Sequence, residues 1–587
     1  MRGISYAARR SARGWTWAAR AAAGLSALVL VLGAIANACV ARADATGPLV
    51  PVIVQYGSAG PDTAAEAVER AGGKVGRGLH LVHGFAAEVP AEAVPGLRRA
   101  PGIRQVTPDE QVRLKGGEWR ADKDANSLYS ITKSIGAQDA WMKTDPSGRR
   151  VTGKGVGVAL IDSGIAPVTG LADPAKVING PDLSFESQAS NLRHLDTFGH
   201  GTHLAGIILG RDPNVRAGSE NDPRNFVGVA PDAHLVNLKV AAANGATDVS
   251  QVIAAIDWVV AHRNDPGLNI RVLNLSFGTD SVQDARLDPL SHAVEAAWRH
   301  GIVVVVAVGN DGATARRVSM PAANPYVIAV GAADPHGTGD RRDDTVADFS
   351  TRGSATRHAD LVAPGKSVVS LRDPNSYIDQ KYPTGLIAYD PEQRFFRGSG
   401  TSQATAVVSG AAALLLQQRP DLTPDQVKRL LTGTAESMPT ADSIAGGAGQ
   451  LDIGKAFGTR APASTQVHAA SLGTGSLEQS RGTAHVADPT NGVELTGEQD
   501  IMGQAWNAQA WSAAASAGST WSGGTWNGQT WSGDGWSGVS WAGQTWSGQT
   551  WSGQTWSGQT WSGQTWSGQT WSGQTWSNDY WSSSEWR

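Results

Sequence analysis

At 587 residues the chain is too long for one ordinary domain, and length alone points to roughly three or four units. A formal net charge of -4 supplies no overall basic field for nucleic acid and singles out no charged partner. The only cysteine, Cys39, rules out a disulfide framework and a multi-thiolate metal site.

Residues 1–43 read as an export leader. Arg2, Arg9, Arg10, Arg13 and Arg20 come with no acidic residue, the apolar run 21–36 follows, and Ala41-Arg42-Ala43 puts small residues at a cleavage position. That run is shorter than the ~20 residues a spanning helix needs, which favours cleavage over a permanent anchor. The residues around Arg9-Arg10 do not support a twin-arginine signal. Cys39 lies inside the leader, so a mature chain has no thiol nucleophile.

Residues 44–126 are expected to form a small α+β unit followed by a processing region. VPVIVQY reads as a strand, residues 63–71 carry helical spacing, and GLHLVHGFAAEVP reads as two short strands or one bent one. A second helix over 91–100 and the strand IRQVTPDEQV complete a ferredoxin-like β-α-β-β-α-β order. The polar stretch 115–126 reads as the place of processing, with no scissile bond fixed.

Residues 127–458 alternate strands and helices. VGVALID, HLVNLKV, IRVLNLSF, IVVVVAV and YVIAVGA are continuous apolar runs, as buried parallel strands are. Helical stretches lie between them at 202–209, 248–262 and 290–300. The expected fold is α/β, a doubly wound, mostly parallel sheet, with functional residues at the C-terminal ends of its strands.

Four segments carry the chemistry: Asp162 in VALIDSGI, His200 in FGHGTHLAG, Asn310 in VVVVAVGNDG and Ser402 in GSGTSQAT. Each has an ordinary reading by itself. Asp162 reads as a turn or cap, Asn310 as a turn residue and Ser402 as an N-cap; His200 with His203 suggests a metal pair, but no third ligand stands nearby, and His203 reads as structural. Together they supply a nucleophile, a base, an orienting carboxylate and an oxyanion donor. Ser402 is expected as nucleophile, His200 as general base and then acid, and Asp162 as the group that fixes the imidazole tautomer. QATAVVSGAAALLLQQ after Ser402 reads as a helix, so the Ser402 N–H and the Asn310 amide are expected to form the oxyanion hole.

On these motifs, and on their chain order Asp, His, Ser, the sequence resembles the subtilisin-like (subtilase, S8) serine peptidases over residues 130–457, and more weakly over 50–114. The resemblance implies a propeptide that helps folding and then blocks the cleft as an intramolecular inhibitor. It implies protein or peptide substrates lying between Leu275-Ser276-Phe277-Gly278 and Ala307-Val308-Gly309. Gly278, Ala307 and Gly309 suggest room for a large apolar side chain, while Asp311 and Ser319 lie near that pocket in the family pattern. No cofactor is implied for catalysis. Calcium stabilises many members, but no ligand spacing here assigns residues to it. Ala406 stands where the family usually has proline, a change that removes no catalytic group.

Residues 459–500 are rich in Gly, Ala, Ser and Thr and read as a linker. Residues 501–587 read as a separate low-complexity repeat tail, with 16 of the 22 tryptophans at five-residue spacing and six WSGQT units over 546–575. A period of five fits neither a strand nor a helix. Surface or polysaccharide binding, plain disorder and a repetitive β-stack all remain open for it. The chain as a whole reads as a secreted serine endopeptidase that removes its own propeptide. The alternative is a self-processing surface adhesion or polymer-binding protein acting through the tail.

Overall fold

Alternate residues of β1 (Leu49–Tyr56) turn inward, so Val52 and Val54 are buried while their neighbours are not. This is how the first unit of the chain begins. The computed structural model describes residues 49–109, 118–463, 465–488, 492–532 and 535–536, and divides the chain at residues 116 and 117 into two compact units. The leader and the repeats from residue 537 onward lie outside the described residues.

The first unit has helix Gly60–Arg70, β2 (Lys74–Leu79), β3 (Gly84–Pro90) and β4 (Ile103–Pro108), in an antiparallel sheet of order β2-β3-β1-β4. Ala64, Val68, Phe85, Val89, Leu97 and Val106 close its core on Val52 and Val54. The expected helix 91–100 is shorter and in two pieces, a 3-10 turn Ala91–Ala93 and helix Val94–Leu97. Pro95 sits in the first turn of the second piece, the position a helix tolerates.

The second unit is built on β5 (Gly157–Asp162), β6 (Val177–Asp182), β7 (His234–Lys239), β8 (Ile270–Leu275), β9 (Val303–Ala307), β10 (Ile328–Asp334), β11 (Thr345–Val346) and β12 (Leu361–Pro364). Their order is β11-β10-β9-β8-β5-β7-β6, with β12 also on β10, and only β11 runs antiparallel. Every residue of β5, β9 and β10 is buried, as apolar runs in a covered sheet must be. Helix His200–Leu209 packs on helix Thr401–Gln418, and helix Val249–His262 on helix Pro289–Arg299. Asp248 starts the third of these with a capping box to Gln251, and Asp288 caps the fourth ahead of Pro289. A two-stranded piece, β13 (Val368–Leu371) with β14 (Phe395–Gly398), leads into Ser402.

Two expectations about the segments flanking this unit are corrected. Residues 118–126 of the expected processing stretch do not stay apart from the second unit. Trp119 donates its backbone N–H to Tyr389 O at 3.1 Å, its ring lies 5.1 Å from that of Phe395, and Asp124 pairs with Arg397. Nor is 459–500 a free linker. Arg481 is fully buried and holds Asp248 at 2.7 Å, Ser471 donates to Glu295, and Tyr326 donates to His468 O at 2.8 Å. Buried polar groups with matched partners do here what apolar residues do elsewhere.

The first tail repeats are likewise not a separate object. Trp506, Trp511, Trp526 and Trp531 are each at most 8% exposed. Trp511, on helix Ala508–Ala517, and Trp526 both donate Nε1–H to Asp257 Oδ2 at 2.8 Å. β15 (Trp521–Ser522), β16 (Thr525–Trp526), β17 (Gln529–Ser532) and β18 (Gly535–Trp536) form an antiparallel ladder in sequence order. Trp521 pairs with Trp526 and Trp531 with Trp536, while Trp526 pairs with Gln529, so in the described repeats each five-residue step carries the chain from one strand to the next. Gly523-Gly524 and Asn527-Gly528 turn it, all four at positive φ, as two-residue hairpin loops require.

Burial pushes the Asp257 carboxyl up to about 7, against the indole donors, which favour the ionised form. The folded state therefore holds this proton more tightly than the unfolded state does. The stability it contributes is fully present below about pH 4 and is lost as pH rises towards 7. We expect the Tm of a Ser402→Ala background to fall over that window with a steeper slope than that of the same protein carrying Asp257→Asn. Parallel curves would contradict the assignment.

Candidate active site

β5 delivers Asp162 at its C-terminal end, and helix His200–Leu209 opens on His200. His200 Nδ1 lies 2.8 Å from Asp162 Oδ1 and 3.0 Å from Oδ2, and both side chains are buried. Asp162 Oδ1 also accepts the Ser163 N–H at 2.8 Å. A carboxylate fixed this way orients the ring and keeps the proton on Nδ1, which makes Nε2 the basic nitrogen.

The helix itself is anchored by residues that sequence reading missed. Asp196 accepts N–H groups from Phe198, Gly199 and Thr202 at 2.7–3.1 Å, and the Ser163 hydroxyl at 2.8 Å. Ser163 in turn accepts the Gly201 N–H at 3.0 Å. One chain of bonds thus ties the Asp162 turn to the start of the His200 helix. Burial pushes the Asp196 carboxyl above its ordinary range, and the N–H donors oppose that. The signal was present as an acidic residue just ahead of a helix start. Gly201 permits the close approach, since a Cβ there would meet Gly164 O at 2.2 Å.

Ser402 is the second residue of helix Thr401–Gln418, where backbone N–H groups have no partner within the helix, and it is buried. Gly400 marks the volume in front of it. A Cβ on Gly400 would lie 3.7 Å from Ser402 N and 3.6 Å from Asn310 Nδ2. The two expected oxyanion donors therefore border one small space beside Gly400, where Gln403 Oε1 comes nearest, 2.8 Å from such a Cβ. Thr401 sets the Asn310 amide: its N–H and its hydroxyl both donate to Asn310 Oδ1, at 2.9 and 3.0 Å, so Nδ2 faces the other way. Thr401 is a second positioning residue that sequence reading missed. Ala406 is buried in an unbroken helix.

The two expected substrate walls divide by exposure. Leu275, Ser276, Phe277, Ala307 and Val308 are buried, and Val308 spends its backbone groups on Val330 O and Ser319 N. Gly278, Gly309, Asn310, Asp311 and Ser319 are half-buried. A Cβ on Gly309 would meet Ser319 Oγ at 2.4 Å and Asp311 Oδ2 at 3.2 Å, and one on Gly278 would meet Ser319 Cβ at 2.8 Å. Ser319 therefore sits against both glycines, and Asp311 against Gly309. Thr351 holds Asp311 in place, accepting its N–H at 2.9 Å.

His203 does not pair with His200 as a metal ligand. Its Nε2 is 3.1 Å from Phe396 O, and burial pulls its pKa down to about 3, so the ring is neutral. Among the described residues no group of three or more His, Cys, Asp or Glu side chains gathers to hold a metal ion, and none is assigned to calcium. Among them, too, no helix is long and apolar enough to cross a membrane.

Known proteins share this arrangement in sequence. Residues 153–449 match the subtilase family, peptidase S8. Residues 25–109 match a family described as "Putative peptidase inhibitor domain", beginning inside the stretch read as leader. The chain is 37% identical over 312 residues to serine protease AprX of Bacillus subtilis (strain 168), covering 52% of this chain and 67% of that protein. It is 33% identical over 303 residues to subtilisin DY of Bacillus licheniformis, 51% of this chain and 90% of that protein. Minor extracellular protease Epr of Bacillus subtilis (strain 168) is 33% identical over 291 residues, 50% of this chain and 36% of that protein.

Proposed function

The chain belongs to the subtilase family of serine peptidases, and from that premise we propose that it is an exported endopeptidase whose triad is Asp162, His200 and Ser402, freed by removal of its own propeptide. The observation that carries this reading is the buried His200–Asp162 pair, with the Ser402 and Asn310 donors bordering one space. Ser402 Oγ attacks the scissile carbonyl as its proton passes to His200 Nε2. The carbonyl oxygen becomes an oxyanion that accepts from Ser402 N–H and Asn310 Nδ2–H. His200 then gives its proton to the leaving amine, and an ester remains on Ser402. Water, deprotonated by His200, attacks that ester, and Ser402 leaves with the proton restored. Asp162 stabilises the imidazolium throughout.

The scissile bond of the propeptide lies N-terminal to Trp119, because Trp119, Asp124 and Asn126 are tied into the catalytic unit. Intact mass, N-terminal sequencing and casein turnover of secreted wild type and Ser402→Ala test the reading. Wild type is expected to lose its prosegment, beginning just ahead of Trp119, and to digest casein; the variant is expected to keep the prosegment and leave casein intact. Equal masses with no casein turnover by either would put the adhesion reading first, which the tryptophan ladder favours and which includes cell-wall or polysaccharide contact through the tail.

Asp311 sets the preference for the residue before the cleaved bond. Its carboxylate borders Gly309, so a pocket open to large apolar side chains also accepts Lys and Arg. Asp311→Asn is expected to lower kcat/KM for Lys or Arg, relative to Leu or Phe, by about fivefold, the ~1 kcal/mol of a half-exposed charge contact. An unchanged ratio in a peptide series would contradict this.

A further inference from the structure

Trp521 is tied down from one side. Its Nε1–H donates to Ala254 O at 3.1 Å, so the ring is fixed, yet it stays half-buried with a face towards solvent. Trp531 lies 6.0 Å from it at 59°. Across from them, on helix Val249–His262, Trp258 and His262 stack at 4.2 Å and 15°. His262 donates Nδ1–H to Trp258 O at 2.9 Å, which leaves Nε2 as an acceptor. With Pro181 and the exposed Asp265 these rings line an open cavity of about 420 Å³.

We propose that this groove binds a neutral polysaccharide. A pyranose ring has apolar C–H faces, which stack on indole, and equatorial hydroxyls, which bond to polar groups at the rim. Here fixed indoles form the walls, and the Asp265 carboxylate and an imidazole nitrogen stand beside them. A carboxylate accepts from hydroxyls and repels an acidic polymer, so the chemistry selects a neutral chain. The volume lies within the range of small-ligand sites. Rings already held in place lose little freedom on binding. Both walls are needed: one is the body's own helix, the other exists only because residues 521–531 dock on it. Catalytic cleft and groove therefore belong to one compact unit. The proposal rests on the reading of the tail region as a polymer contact, and not on the assignment of the triad.

The test uses the full mature chain, blocked at its serine with a sulfonyl fluoride. It is titrated with short neutral oligosaccharides of the cello, chito and xylo series, followed by calorimetry and tryptophan fluorescence. At least one series is expected to bind. Trp258→Ala should weaken it about tenfold, and Asp265→Ala, at an exposed position where folding is not at stake, by a few-fold. Unblocked enzyme should hydrolyse a small peptide unchanged in both variants. Three results would overturn the proposal: no series binds; binding survives both substitutions and disappears only when residues 537–587 are removed, which would assign it to those repeats; or a quaternary ammonium compound binds in place of the sugars, which would make the groove a cation cage. Loss of peptide hydrolysis in wild type would bear on the catalytic reading alone.

Discussion

Ser402→Ala, once its prosegment has been removed in trans, lowers kcat on a peptide amide by about 10⁶-fold and leaves KM within a few-fold, as loss of a subtilisin nucleophile does. The variant keeps the helix N-terminus, the Asn310 amide and the substrate walls, so ground-state binding persists. What it loses is the covalent route. Alanine has no hydroxyl for His200 to deprotonate, and water must attack directly in a site shaped for a side chain. A residual rate of roughly 10³–10⁴ over the uncatalysed reaction remains from the oxyanion hole and binding. The second substitution in the pair should therefore cost little more. His200→Ala added to Ser402→Ala is expected to change kcat by less than about tenfold, because the two residues act as one unit. Steady-state kinetics on a fluorogenic peptide checks both. Additive losses would contradict a shared mechanism.

Asn310→Leu has the second largest effect. It is expected to lower kcat by about 10²–10³-fold with KM nearly constant, equivalent to ~2.7–4 kcal/mol, the size found for such a donor in a subtilisin. Leucine keeps the volume and removes the N–H aimed at the space beside Gly400. The substrate carbonyl gains most of its negative charge only in the transition state, so the loss falls on kcat. The Thr401 N–H and hydroxyl also lose their acceptor, Asn310 Oδ1. Thr401→Val, which removes one of those two bonds, should cost much less, since the backbone N–H still holds the amide. A rise in KM with kcat unchanged in Asn310→Leu would place the amide in ground-state binding instead.

Much of the catalytic fold was legible because burial leaves a plain trace. β5, β8, β9 and β10 are read as apolar runs, and the helices after Asp248 and Asp288 begin at cap residues. The order and context of Asp162, His200 and Ser402 gave the candidate site. β6 was missed because its residues, VINGPD, carry turn formers within a paired strand. Asp196 and Thr401 were missed because what they do depends on contacts across the fold, and neither stands out along the chain.

The segment after residue 458 misled for a different reason. Its Gly, Ala, Ser and Thr content is that of a flexible chain, and periodicity weighs every residue alike. Docking rests instead on a few buried anchors, Arg481 on Asp248 and Trp511 with Trp526 on Asp257, whose partners lie more than 200 residues away. The period of five looked neither helical nor extended because in the described repeats it is the step from one short strand to the next. Asn527-Gly528 between Thr-Trp and Gln-Thr-Trp was a hairpin signal in plain view.

The most direct test of the central claim is covalent. Mature enzyme is titrated with a fluorophosphonate, digested and mapped by mass, with casein hydrolysis followed in parallel. The account predicts one adduct per chain, on Ser402, with hydrolysis falling in step with labelling. An adduct on another residue, or hydrolysis that survives full modification of Ser402, would contradict it.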